Sequence, residues 1–254
     1  VALRGVQHIV HAGHGGRDPG PLQVDPAAQT FREVGDEPLL LAASGEAWIG
    51  RDRPAAARAM ADAGVQAVLM DDGHQNPSLK KDFTFVVIDA GAPFGNGHVL
   101  PKGPLREPVA AGLARAGAVI LMGDGPVPSA VARSGKPVLR ARLEAAAPVP
   151  AGPLVAFAGI GRPEKFFDSL KAAGADLRDA IPYADHPPYS AGDLDFLRSL
   201  ARREGAALVT TSKDHVRLPP DLRAETRVFP VTAVFEDPEA LDAMLAAIFE
   251  RSQP

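Results

Sequence analysis

The stretch VQAVLMDDG, residues 65–73, joins a short apolar segment to two adjacent aspartates, Asp71 and Asp72. Residues 67–70 have the composition of a buried β-strand, and the acids follow directly at its carboxyl end. In open sheets of parallel strands, ligands bind in the crevice outside those ends. Carboxylates there suit Mg²⁺, which prefers hard oxygen ligands and phosphate. The stretch therefore predicts an α/β fold with a cation site, and a solvated acidic turn is the alternative.

Apolar runs of this kind alternate with amphipathic segments along the 254 residues. Strands are predicted at residues 6–11, 67–70, 83–89, 118–122, 138–143, 154–158, 207–211 and 228–234. Helices are predicted at residues 54–63, 107–116, 164–173, 191–204 and 238–251. Such alternation indicates βαβ units and a mostly parallel sheet.

An Ala- and Pro-rich run, EAAAPVPAGP at residues 144–153, has no helical or strand periodicity and indicates a linker. We therefore predict three parts along the chain. They are a larger N-terminal lobe at 1–145, a linker at 146–153 and a smaller C-terminal α/β lobe at 154–254.

The composition excludes several classes of protein. With 46% hydrophobic and 23% charged residues it is typical of a globular domain. A formal net charge of −4 lacks the basic excess of nucleic-acid-binding domains, so no nucleic acid partner is expected. The absence of cysteine excludes disulfides and thiolate metal sites. No run approaches the roughly 20 apolar residues that a membrane-spanning helix needs.

Charged residues stand at two predicted helix starts. Asp36 and Glu37 in GDEP would favour the positive end of a helix, and a second interpretation makes Asp36 a general base facing the crevice of Asp72. Arg51 and Arg53 in RDRP are disfavoured by a helix dipole at this end, so they are better suited to bind an anion.

The segment DAGAPFGNGHVLPKGPLREP, residues 89–108, is dense in glycine and proline. This density predicts a loop folded close against a ligand, with Arg106 able to meet phosphate or carboxylate. The alternative is a turn-rich connection in which Arg106 and Glu107 cap the next helix.

Two C-terminal segments carry further candidates. His186 lies beside Asp185 in YADHPPYS, where a catalytic histidine would have an orienting carboxylate, although a surface histidine is the alternative. Lys213 and Asp214 in TTSKDHVRLP follow a predicted strand, a position for a ligand contact or for a polar turn.

Four histidines offer a different kind of site. His8, His11, His14 and His74 could supply imidazole ligands to a transition metal. Side chains alternate in direction along a strand, so the first three can only partly face one way.

Together these motifs, in this order, resemble the tetraacyldisaccharide 4'-kinase (lipid A 4'-kinase) family of Gram-negative bacteria. The matching segments are residues 35–42, 51–59, 70–82, 89–108, 157–175, 185–190 and 210–218. The loop that contains Phe-Gly-Asn-Gly and ends in GPLREP is highly specific for this family.

The resemblance implies a P-loop-kinase-like fold, with a mostly parallel sheet, helices on both faces and a smaller C-terminal α/β lobe. It implies transfer of the γ-phosphate of ATP, with Mg²⁺, to the 4'-hydroxyl of a tetraacylated glucosamine disaccharide 1-phosphate, the lipid A precursor. The enzyme is then expected at the cytoplasmic face of the inner membrane, in peripheral contact with it.

The resemblance also implies roles for residues. Asp36 is the expected base, with His186 as its partner, while Asp71 and Asp72 hold Mg²⁺ and, with Lys213, bind the nucleotide. The residues expected to bind the substrate are Glu37, Arg51, Arg53, Gln75, Asn76, Asn96 and Arg106.

The chain departs from the family pattern in several places. No G-x-x-x-x-G-K-[ST] motif is present, and we expect this phosphate-binding loop to precede Val1, outside this chain. Further departures are Ala12, His14, His74 and Ser212. An inactive relative that binds a sugar phosphate or lipid, and a histidine metal-site variant, are the alternatives.

Overall fold

The computed structural model describes residues 8–11, 16–184 and 189–251. The strands are β1 (His8–His11), β2 (Leu22–Gln23), β3 (Glu46–Ile49), β4 (Leu69–Met70), β5 (Phe85–Asp89), β6 (Ala118–Met122), β7 (Val138–Ala145), β8 (Pro153–Ala158), β9 (Asp176–Pro182), β10 (Ala207–Thr210), β11 (Thr226–Val228) and β12 (Val231–Phe235). The helices are α1 (Phe31–Val34), α2 (Asp36–Ala42), α3 (Arg53–Asp62), α4 (Val109–Arg115), α5 (Ser129–Ser134), α6 (Pro163–Ala172), α7 (Ala191–Glu204), α8 (Ser212–His215), α9 (Pro220–Glu225) and α10 (Pro238–Arg251).

The chain forms two compact units that interleave along the sequence. Unit I contains residues 72–144 together with the chain from Thr232. Unit II contains the described residues up to Asp71 together with residues 145–231. One change of unit, between Glu144 and Ala145, lies beside the predicted linker at 146–153. The predicted division into two consecutive lobes stays a prediction.

Unit II contains a four-stranded sheet in the order β2-β3-β1-β4. β1 pairs in parallel with β3 and β4, and β2 is antiparallel at the edge. Along β3, Ala47 and Ile49 pack in the core cluster of Val34 and Leu39, while Trp48 packs against α3. Because strand side chains alternate between faces, this short strand anchors helices on both sides of the sheet.

A second sheet of unit II is entirely parallel, in the order β11-β10-β8-β9. The apolar residues of β8 alternate between two core clusters, one formed with α6 and the other with α7. Leu154 and Phe157, one from each cluster, have no solvent exposure. Burial on both faces explains why this strand is a continuous apolar run in the sequence.

Unit I is built on a sheet in the order β12-β7-β6-β5, in which β5, β6 and β7 are parallel. Its core cluster joins Ile88, Val119 and Leu121 of the sheet to Leu113 of α4 and Val131 of α5. The packing places the loop between β5 and α4, which contains the Phe-Gly-Asn-Gly motif, at the carboxyl end of β5.

The predicted mostly parallel α/β fold is confirmed, with its strands divided among three sheets. The strand at 118–122 and the helices at 191–204 and 238–251 have the predicted bounds. The single strand predicted at 228–234 is wrong, because β11 and β12 belong to different sheets. Pro230 lies between them, and its ring nitrogen has no hydrogen to donate to a sheet.

The strands β2, β3 and β9 were not predicted, and β2 has only two residues. β3 is only four residues long, and β9 begins DLRD, with charged residues that mask its apolar face. The helix predicted from residue 107 begins at Val109 instead, after the N-cap Pro108. In the part of the chain that the structure describes, we found no helix with the length and apolar character to cross a membrane.

Candidate active site

Asp36 is the first residue of α2, where the positive end of a helix favours a carboxylate. The preceding Gly35 has φ of 94°, a left-handed conformation that glycine adopts without strain. The Asp36 side chain is 14% exposed, and its Oδ2 lies 2.8 Å from Nε of Arg217. The Nε–H bond of Arg217 does not point along this line, so the contact is an ion pair and not a linear hydrogen bond.

Arg217 belongs to a buried polar network behind Asp36. Its Nη1 and Nη2 donate to the carbonyl oxygen of Gly159 at 3.3 and 3.4 Å, and Nη1 lies 3.6 Å from Oδ1 of Asp214. Asp214 is fully buried and accepts hydrogen bonds from Gly159 N, Tyr189 Oη and Thr211 Oγ1. Burial, with Asp214 adding to it, raises the pKa of Tyr189 above the usual range, so its hydroxyl remains a donor.

The sequence prediction missed Arg217, and it named Asp214 only as a candidate for a ligand contact. Their signal was the spacing of two opposite charges, one helical turn apart, directly after the buried strand β10. The local fold follows from α8, whose N-cap Thr211 accepts from the backbone N–H of Asp214 at 3.0 Å.

Glu37 and Lys213 lie together, although the prediction placed one at the substrate and the other at the nucleotide. Lys213 Nζ donates to Glu37 Oε1 at 2.8 Å, and both side chains are partly exposed. This pair and the Asp36–Arg217 pair therefore join α2 to α8 and the turn that follows it, within unit II.

Arg53 and Arg51 have different surroundings. Arg53, in the first turn of α3, is 4% exposed, and its Nη1 and Nη2 donate to the backbone oxygen of Asp71 at 3.2 and 3.3 Å. Arg51 is exposed, and its Nη2 donates to the Gly16 carbonyl oxygen at 3.1 Å. Arg53 thus fixes the backbone at the end of β4, while Arg51 lies at the surface.

Asp72 has φ of 47°, and among the described residues it alone combines a positive φ with a side chain. Such conformations cost free energy and cluster at functional sites. Its Oδ2 accepts from Nη1 of Arg106 at 3.0 Å, with side chains 53% and 62% exposed. The structure thus brings together an expected Mg²⁺ ligand and an expected substrate cation in unit I.

His74 and Gln75 contact helix α4 and the residue before its N-cap. Glu107 accepts from Gln75 Nε2 at 3.0 Å and from Arg115 Nη2 at 2.6 Å, and the hydrogen bond from Arg115 is the main cause that lowers the Glu107 pKa. His74 Nε2 lies 3.1 Å from the carbonyl oxygen of Gly112. The histidine at this departure from the family pattern therefore packs against α4.

The described residues contain no group of three or more histidine, aspartate or glutamate side chains arranged to hold a metal ion. His74 is engaged with Gly112, as above. The side chains of His8, His11 and His14 lie outside the described part of the structure, as does the whole of His186.

Asn76 and Asn96 each stabilise their own loop. Asn76 Oδ1 accepts from Ser78 N and Oγ at 2.8 and 2.6 Å. Asn96 Nδ2 donates to Lys102 O at 2.8 Å, and its Oδ1 accepts from His98 N at 3.1 Å. Their predicted contacts with the substrate stay predictions.

The expected site residues fall in both units. Asp36, Glu37, Arg51, Arg53, Asp71 and Lys213 belong to unit II, and Asp72, Gln75, Asn76, Asn96 and Arg106 belong to unit I. The change of unit falls between Asp71 and Asp72, the aspartate pair itself.

Comparisons with known proteins agree with the resemblance. The chain is 70% identical over 240 residues to a tetraacyldisaccharide 4'-kinase of Hyphomonas neptunium, covering 94% of this chain and 72% of the relative. It is 53% identical over 246 residues to the enzyme of that name in Rhodospirillum centenum, covering 95% and 73%. These relatives favour a kinase over an inactive protein.

A solved structure has a similar fold. The match is LpxK of Aquifex aeolicus in a crystal structure with ATP, with a TM-score of 0.73, 23% identity, and coverage of 95% of this chain and 78% of that one. The model of the family described as tetraacyldisaccharide-1-P 4'-kinase matches residues 3–250. The chain therefore belongs to the tetraacyldisaccharide-1-phosphate 4'-kinase family.

Proposed function

We propose that the chain transfers the γ-phosphate of ATP to the 4'-hydroxyl of a tetraacylated glucosamine disaccharide 1-phosphate, in lipid A biosynthesis. Membership of the family supports this reaction, and a relative of the same fold was crystallised with ATP. Phosphoryl transfer depends mainly on positioning and on neutralisation of charge, so it needs a base, acids that hold a metal, and cations.

Asp36 is the proposed base that accepts the proton of the 4'-hydroxyl, with His186 as its partner. The observation that carries this role is the placement of Asp36. Its carboxylate stands at the first turn of α2, is partly accessible and is held in place by the buried cation of Arg217. A general base needs this kind of fixed orientation toward the proton that it abstracts.

Asp71 and Asp72 are the proposed acids for Mg²⁺. The pair fits the ion, because Mg²⁺ is usually held by one or two carboxylates together with water and substrate phosphates. Asp72 is half exposed, just after the carboxyl end of β4, and is therefore open to a ligand. When bound, Mg²⁺ would neutralise charge on the transferred phosphoryl group.

Exposed cations are the best candidates for the anionic groups of the substrate and of ATP. The Arg106–Asp72 pair is exposed, and such pairs contribute only about 0–1 kcal/mol, so a phosphate can compete for Arg106. Arg51 and Lys213 are also reachable, whereas the buried Arg53 would act through the Asp71 backbone. Glu37, Gln75, Asn76 and Asn96 remain proposed substrate contacts.

The lipid substrate leads to a proposed location. A tetraacylated disaccharide resides in a bilayer, so we place the enzyme at the cytoplasmic face of the inner membrane of a Gram-negative bacterium, in peripheral contact with it.

The function is tested by phosphorylation of the disaccharide 1-phosphate with labelled ATP by the full-length enzyme and by Asp36→Asn. Loss of the base is expected to lower kcat by about 10²- to 10⁴-fold. Asp168→Asn, which changes an exposed aspartate on α6, serves as the matched control and should retain the wild-type rate. A wild-type rate in Asp36→Asn would refute the role of Asp36 as the base.

A further inference from the structure

Arg217 is a buried cation in direct contact with the proposed base. Its side chain is 2% exposed, with Nε 2.8 Å from Asp36 and Nη1 3.6 Å from Asp214. A charged group at this depth is stable only when it is paired and hydrogen-bonded. Nη1 and Nη2 of Arg217 accordingly donate to the carbonyl oxygen of Gly159.

Asp214 is itself held on several sides. It has no exposed surface, and its two carboxylate oxygens accept from Gly159 N at 3.1 Å, Tyr189 Oη at 2.9 Å and Thr211 Oγ1 at 2.7 Å. These donors lie after β8, before α7 and before α8, so the position of Asp214 is determined by three separate elements of unit II. Through Asp214 and Gly159, the same elements determine the position of Arg217.

We infer that Arg217 is a positioning residue for phosphoryl transfer: it holds the carboxylate of Asp36 in the orientation for proton abstraction, and Asp214 holds Arg217. The inference rests on the proposed role of Asp36. Arg217 needs no contact with ATP or with the disaccharide. An arginine suits this place because its planar fork reaches Asp36 on one side and Gly159 with Asp214 on the other, whereas a lysine offers a single point of charge.

The test compares steady-state kinetics of the full-length enzyme and of Arg217→Lys, Asp36→Asn and the double variant. Arg217→Lys keeps the charge but loses the fork. A misplacement of about 1 Å costs on the order of 100-fold in rate, so we expect kcat to fall by roughly 10- to 100-fold while the KM values for ATP and disaccharide stay within about twofold. The double variant should be no slower than Asp36→Asn, because the effect of Arg217 passes through Asp36.

Two further variants separate positioning from loss of structure. Asp214→Asn keeps the shape of Asp214 but removes its charge, and it should lower kcat with the same lack of additivity toward Asp36→Asn. Arg178→Lys alters an exposed pair with Asp176 on β9 and should change neither kcat nor KM. Thermal unfolding and circular dichroism confirm that the variants being compared are folded.

Three results would overturn the inference. The first is a wild-type kcat in folded Arg217→Lys, and the second is a change in KM alone. The third is a double variant slowed by the product of the two single effects, since Arg217 would then act independently of Asp36. A wild-type rate in Asp36→Asn is a distinct outcome, because it would refute the base itself and the inference with it.

Discussion

Arg53 donates two hydrogen bonds to the backbone carbonyl oxygen of Asp71, from a guanidinium group that is almost fully buried in the first turn of α3. The N-cap Asp52 begins this helix by accepting from Ala55 N at 2.9 Å. The start of α3 therefore supports the backbone directly before Asp72, and a role for Arg53 through the backbone can be tested separately from direct contact with substrate.

Arg53→Met should lower the free energy of unfolding by roughly 1–3 kcal/mol, because the carbonyl oxygen of Asp71 loses both hydrogen bonds that Arg53 donates to it. It should also raise the Mg²⁺ concentration needed for half-maximal activity, because the backbone of Asp71 loses the two hydrogen bonds from Arg53. Urea unfolding and Mg²⁺ titration measure the two effects. Arg58→Met, at an exposed position of the same helix, is the control and should change neither.

Asp72→Gly should preserve the stability of the protein and remove most of its activity. Glycine adopts φ of 47° without the cost of roughly 1–3 kcal/mol that a residue with a side chain bears, whereas the exposed pair with Arg106 contributes little. We expect the variant to be at least as stable as the wild type and to lose most of its Mg²⁺-dependent activity.

Thermal unfolding and kinase assays measure both properties of Asp72→Gly. Asp62→Gly, at the last residue of α3, is the comparison and should destabilise the protein by about 0.5–1 kcal/mol with activity retained. An Asp72→Gly enzyme with a wild-type rate would contradict the proposed metal role.

Because of the partly buried His215, we expect the protein to become less stable as the pH is lowered. Burial lowers its pKa in the folded protein, and its Nε2 lies 3.1 Å from the carbonyl oxygen of Arg223. The unfolded chain therefore binds more protons below about pH 6.5, the ordinary value, so the free energy of unfolding falls as the pH drops through that value.

The contribution of neutral His215 to the free energy of unfolding is complete above about pH 6.5. It decreases as the pH falls from that value to the lower pKa of His215 in the folded protein. Denaturant unfolding of the wild type and of His215→Gln at several pH values measures it. The variant should show a smaller dependence on pH, whereas His98→Gln, which changes an exposed histidine, should follow the wild type. Equal pH dependence in all three proteins would contradict this origin.

Gly103→Ala should distort the loop that contains the Phe-Gly-Asn-Gly motif. A Cβ atom at this position would lie 2.1 Å from Asn96 Oδ1 and 2.3 Å from the backbone oxygen of His98, so the loop must shift. If the loop binds the disaccharide as proposed, its KM rises and the KM of ATP changes less. Gly192→Ala, in α7 where a Cβ has space, should stabilise the protein slightly with normal kinetics.

Local patterns in the sequence predicted the features that depend on local chemistry. Residues 118–122 read AVILM, a continuous apolar run that is typical of a strand buried on both faces, and β6 has the predicted bounds at both ends. Helix α7 has its capping box at Ser190 and Gly205 in the left-handed conformation at its end, and both signals lie in the sequence itself.

Long-range pairing could not be predicted in the same way. Asp36 and Arg217 lie far apart in the chain, and only the packing of α2 beside the turn after α8 brings them to 2.8 Å. For His74 the sequence revealed the departure from the family pattern, but not the Gly112 carbonyl oxygen that its ring contacts. The four-residue β3 was missed because tertiary burial, and not length or periodicity, makes it a strand.

The position of β12 has a consequence for biosynthesis. β12 borders β7 in the sheet of unit I, yet residues 146–230, which belong to unit II, lie between the two strands in the chain. A nascent chain therefore presents β5, β6 and β7 to the ribosome exit and to chaperones well before their edge strand has been translated. During that interval the outer edge of β7 has unpaired backbone donors and acceptors, and they are paired only after β12 has been synthesised.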